Sequence, residues 1–137
     1  EHNDDQMIPD FINDALDNKE IIIPGLENFS SSFCYIEDAI DAVSKIMNSN
    51  LPGPFNIGSD LDVKLADVVS LICKQTGSSS LITHIDSPLF VSELVLPDIK
   101  KAKDELGWMP VVTLENGLKK TIFDIEANKR LQGFHAA

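Results

Sequence analysis

The chain has 137 residues, 43% of them hydrophobic and 24% charged, which fits one soluble globular domain able to bury a core. Its 22 acidic residues against 11 basic ones give a formal charge of −11, and Arg130 is the single arginine, so neither nucleic acid nor an anionic lipid surface finds the basic face it needs. No apolar run approaches the roughly 18 residues of a membrane-crossing helix, and no basic stretch followed by an apolar one suggests export, so a cytoplasmic protein with no membrane partner is the default expectation.

Residues 1–5, Glu-His-Asn-Asp-Asp, hold no apolar side chain and are expected to be disordered or tag-derived. A chain that starts at Glu1 rather than Met is itself expected to be an expressed piece, a processed product or a fragment. Met7, Ile8, Phe11, Ile12, Ala15 and Leu16 recur at helical spacing, which predicts a helix from Gln6 to about Asn18. Ile21-Ile22-Ile23 is a β-branched run stopped by Pro24-Gly25, and Ser31 to Ile36 is a second extended run. Together they predict a β-hairpin across a loop.

Glu37 or Asp38 opens the next helix, where its acidic start suits the helix dipole, and Ile36, Ala39, Ile40, Val43, Ile46 and Met47 line one face as far as Asn48. Asn50-Leu-Pro-Gly-Pro is a loop, and Phe55-Asn56-Ile57 a short strand closed by Gly58. Asp62 is placed to cap a helix from about Lys64 to Thr76 that turns Leu65, Val68, Val69 and Ile72 inward and stops at Gly77. Leu81 to Ile85 reads as a strand, whereas Asp86 to Leu96 is apolar without clean periodicity. Pro97-Asp98 introduces a helix that ends at Leu106-Gly107, Trp108 and Pro110 set an extended corner, and Thr113 caps a last helix with Leu114, Leu118, Ile122 and Ile125 on one face. That helix is expected to reach about Leu131, with residues 132–137 frayed.

Cys34 and Cys73 have no cysteine neighbour at redox or zinc spacing and read as buried free thiols. His2, His84 and His135 are scattered, so no metal is expected. Asn28-Phe29-Ser30 matches a glycosylation acceptor with no export signal behind it.

The run Pro97-Asp98, Lys101-Ala102-Lys103, Leu106-Gly107-Trp108-Met109-Pro110 and Leu114-Glu115-Asn116-Gly117-Leu118 resembles the C-terminal end of the extended short-chain dehydrogenase/reductases that modify nucleotide sugars. Met7-Ile8-Pro9-Asp10-Phe11-Ile12, Phe33-Cys34-Tyr35-Ile36-Glu37-Asp38 and Gly53-Pro54-Phe55-Asn56-Ile57-Gly58 agree with it, so the resemblance runs from about Gln6 to Ile125. It is similar to UDP-glucuronate decarboxylases and dTDP-glucose dehydratases above all, and covers only the second half of such an enzyme. The fold implied is a mixed α/β one of about five helices with short strands, lacking the N-terminal Rossmann nucleotide-binding motif. Residues 6–131 would form its substrate-side domain.

The family's catalytic tyrosine and lysine stand four residues apart on one helix. Here the one tyrosine is Tyr35 and the residue four further on is Ala39, and none of the seven glycines forms a dinucleotide-binding turn. No catalytic residue is therefore expected, and NAD would belong to the parent enzyme, with its site mostly outside this chain and none bound by the chain alone. Of the residues the resemblance places near ligands, Gln6, Ile23, Pro24, Gly25, Ser31 and Val95 fall on the nucleotide-sugar side, and Tyr35, Asn56 and Gly58 on the cofactor side. A strand end followed by glycine is equally a structural reason for Asn56 and Gly58, and Tyr35 equally a strand residue turned inward. Trp108 would stack on a base or, more simply, bury its ring against both helices. Lys100, Lys101 and Lys103 would add positive charge or form a solvated face.

Family members carry two arginines that grip the diphosphate, and gap-free alignment puts these positions at Ser31 and Val95. Losing two charge-assisted contacts of about 1.5–3 kcal/mol each weakens donor binding by roughly two to four powers of ten. Two functions follow as expectations. One is the substrate-binding portion of an NAD-dependent epimerase, dehydratase or decarboxylase, orienting a nucleotide sugar without catalysing alone. The other is a non-catalytic binding or assembly module that has lost the donor. In relatives the helix at Asp38 and the strand at Phe55 pack on the Rossmann half, so their apolar faces should be bare here and favour self-association.

Overall fold

The computed structural model describes residues 7–25, 29–85 and 96–135, with side chains as far as Leu131. The elements are α1 (Met7–Leu16), β1 (Ile21–Pro24), β2 (Ser30–Ser31), α2 (Ile36–Met47), β3 (Val63–Lys64), α3 (Leu65–Thr76), β4 (Ile82–Ile85), α4 (Lys100–Leu106) and α5 (Leu114–His135). This is the mixed α/β arrangement of five helices and short strands that the sequence implied. Expectations for residues 1–5, Gln6 and 86–95 fall outside the described residues, and α5 continues helical to His135 rather than ending near Leu131.

Residues 30–64 and 96–117 make one compact unit, and the described residues of 7–29, 65–85 and 118–135 another. In the latter, α1 packs on α3 and on β1. Phe11, Ile12 and Ala15 of α1, Ile21 and Ile23 of β1, and Leu65, Val68, Val69 and Ile72 of α3 are all buried, so both helical stripes face inward as their spacing predicts. Asn18 ends α1 in the left-handed region at φ 50°, and its Oδ1 accepts the Ser79 N–H at 3.0 Å, tying that end to the turn after α3. Gly77 stops α3 at φ 68°.

The expected hairpin is not formed. β1 pairs parallel with β4, from Ile21 opposite Ile82 to Pro24 opposite Ile85, and β2 pairs antiparallel with β3 through Ser30 and Lys64. Parallel partners need a long crossover, and a run of three isoleucines without polar alternation suits a strand of a parallel pair better than a hairpin arm. Val63 and Lys64 also stand as strand between Asp62 and the start of α3, so Asp62 does not cap that helix.

The other unit is built around Trp108, which is 1% exposed among Ala42, Ile99 and Ala102, with Cys34, Phe55, Ile57 and Leu106 packed on this cluster. Two alanines let α2 and α4 approach closely. Asp98 Oδ1 accepts the Lys100 N–H at 2.9 Å at the start of α4, and Gly107 closes that helix at φ 60°, as expected of both. Thr113 Oγ1 accepts the Asn116 N–H at 3.3 Å in the first turn of α5. Trp108 therefore buries its ring, here against α2 and α4.

Residues Phe55 to Ile57 are not a strand, and Phe55 is half-buried against the Trp108 cluster rather than bare. Lys101 adds to this cover, its Nζ lying 4.5 Å from the Phe55 ring centre and donating to the carbonyls of Pro52 and Pro54. Lys103 pairs with Asp60 at 2.7 Å, and Lys100 pairs with Asp104. Lys101 and Lys103 thus fasten α4 to the 52–60 loop instead of forming a merely solvated face. The apolar stripe of α2 is left uncovered within its unit: Ile36, Ile40, Val43 and Met47 are 62%, 60%, 53% and 79% exposed.

Candidate functional site

The sequence-predicted residues fall on two separate stretches of structure, with Gln6 and Val95 outside the described residues. The first stretch is the carboxyl end of the parallel pair, where Ile23 is buried, Pro24 half-buried, and Gly25 turns the chain at φ 96° while donating its N–H to the Ile85 carbonyl at 2.9 Å. The carboxyl end of parallel strands is where open α/β sheets place ligands. A residue with a Cβ is disfavoured at that positive φ, which is reason enough for glycine.

The second stretch lies in the Trp108 unit. Ser31 is half-buried in β2 opposite Val63. Tyr35 caps α2 with its carbonyl, which accepts the N–H groups of Asp38 and Ala39, and its ring lies on Gly117, where a Cβ would stand 3.1 Å from Tyr35 Cδ2. Asn56 donates from Nδ2 to the Asp98 carbonyl at 3.0 Å, and a Cβ on Gly58 would meet Pro97 Cγ at 2.9 Å. The structure brings Asn56 and Gly58 together on Pro97-Asp98, and Tyr35 onto α5. Each of the three cofactor candidates has a structural contact inside the chain, and among the described residues no glycine-rich turn accompanies them.

Asp38 is the residue the sequence reading undervalued. Read as a dipole-complementing residue at a helix start, it is 5% exposed, and its carboxylate accepts the Val112 N–H at 2.9 Å while its carbonyl accepts Trp108 Nε1–H at 2.9 Å. The signal that could have found it was the conjunction of an acidic residue one turn before Ala42, on the face opposite the apolar stripe, with a Trp-x-Pro corner whose N–H groups need acceptors. Neither cysteine is fully buried. Both are half-buried, burial raises both thiols above their ordinary pKa, and the Asp38 carboxylate adds to the effect at Cys34, which disfavours the reactive thiolate. Among the described residues no three His, Cys, Asp or Glu side chains converge as a metal site, and no helix is long and apolar enough to cross a membrane.

Residues 1–58 match the sequence model of the NAD dependent epimerase/dehydratase family. Over 120 residues the chain is 34% identical to UDP-glucuronic acid decarboxylase 1 of Xenopus tropicalis, covering 88% of this chain and 28% of that protein. The fold is similar to UDP-glucose 4-epimerase of Thermotoga maritima solved with UDP-glucose, with 27% identity and a TM-score of 0.81 over 88% of this chain and 39% of that one. It is also similar to UDP-glucuronic acid 4-epimerase of Bacillus cereus solved with UDP-glucuronic acid and NAD, with 25% identity and a TM-score of 0.81 over 90% of this chain and 40% of that one. Part of the sequence and the described fold are thus similar to proteins of the NAD dependent epimerase/dehydratase family. The chain corresponds to part of such a protein, spanning little more than a quarter of the Xenopus decarboxylase.

Proposed function

We propose that this chain is the substrate-side part of an NAD-dependent nucleotide-sugar epimerase, dehydratase or decarboxylase, which orients a nucleoside-diphosphate sugar and is not catalytic alone. The observation that carries the reading is the extent of the match: 88% of the chain aligns with a UDP-glucuronic acid decarboxylase that is several times longer. A fold shared with an epimerase solved with UDP-glucuronic acid and NAD supports the same class of donor. The strand end Ile23-Pro24-Gly25 is the part of the chain assigned to the donor nucleotide, along with Gln6. NAD is assigned to the remainder of a longer protein, with Tyr35, Asn56 and Gly58 at most at its edge. The uncovered stripe Ile36, Ile40, Val43 and Met47 is assigned to contact with that NAD-bearing half.

A second reading, a non-catalytic module that no longer holds the donor, is favoured by Ser31. A half-buried serine occupies the β2 position where the family resemblance expects an arginine, and Val95 stands at the other such position. Calorimetric titration with UDP-glucuronic acid at low salt separates the two. The first reading predicts saturable heat with no release of carbon dioxide and no NADH when NAD is added. Absence of saturable heat up to millimolar donor supports the second.

A further inference from the structure

We draw no further inference here: the strongest candidate, the uncovered apolar stripe of α2 from Ile36 to Met47, is the surface already assigned to the NAD-bearing half under the proposed function, and nothing among the described residues shows what else would cover it.

Discussion

Trp108 and Asp38 are joined by the indole N–H, which donates to the Asp38 main-chain oxygen at 2.9 Å from a ring that is 1% exposed. The same aspartate accepts the Val112 N–H through its carboxylate. One residue at the start of α2 thus holds both ends of the corner between α4 and α5, which fixes where α5 begins. The following predictions start from that joint.

Asp38→Ala removes the acceptor of Val112 and leaves a partly buried N–H without its partner, which costs about 1–3 kcal/mol. Asp38→Asn keeps an amide oxygen in place and should cost less. Trp108 is the one tryptophan in the chain, so its fluorescence reports this unit directly in urea unfolding. Equal midpoints for Asp38→Ala and the unaltered chain would show that the Val112 bond adds nothing.

Gly58→Ala places a Cβ 2.9 Å from Pro97 Cγ, closer than real contacts allow, and overpacking of this kind costs about 1–3 kcal/mol. Pro97→Ala removes that Cγ. The double variant should therefore be less destabilised than the sum of its single changes, measured as a thermodynamic cycle. Strict additivity would place the cause of the Gly58 effect elsewhere.

Two surface carboxyls are expected to contribute to the acid side of the stability profile. Hydrogen bonds from Lys129 and then Lys19 hold Asp17 below the usual carboxylate range, and a hydrogen bond from Lys103 does the same for Asp60. A folded-state value below the unfolded one means that each contributes stability above the ordinary carboxylate pKa and loses it as pH falls through the lowered value. Asp17→Asn and Asp60→Asn should each flatten the acid limb of stability against pH, and salt should blunt the difference because both pairs are exposed. An unchanged acid limb at low salt would contradict the assignment.

The stripe on α2 should make the isolated chain associate. Light scattering is expected to give a mass above 15.1 kDa that rises with concentration, and Ile40→Lys with Met47→Lys should restore the monomer. A monomer of the unaltered chain across a wide concentration range would show that these side chains are not sticky.

Helices with one buried face were legible in the sequence because periodicity and punctuation agreed. For α3, Leu65, Val68, Val69 and Ile72 are buried as their spacing requires, and Gly77 ends the helix where a left-handed residue is needed. Strand partners were not legible, since Ile21-Ile22-Ile23 carries no mark of which later strand it meets, and its partner Ile82–Ile85 lies about sixty residues on. The candidate site was legible only by resemblance. Asn56 and Gly58 resemble ligand positions and also meet Pro97-Asp98, while Asp38 looks like a surface helix start and is buried, and each of these contacts reaches 39 or more residues along the chain. Phe55 was misread for the same reason, being covered by the Trp108 cluster and the Lys101 side chain.

The central claim, that this chain receives a nucleotide sugar without transforming it, is tested most directly by mapping amide shifts as UDP-glucuronic acid is added to the labelled chain at low salt. The account predicts saturable shifts at Ile23 and Gly25 on the carboxyl end of β1, with the sugar nucleotide recovered intact. Shifts that stay linear to millimolar donor, or that avoid this strand end, would contradict it.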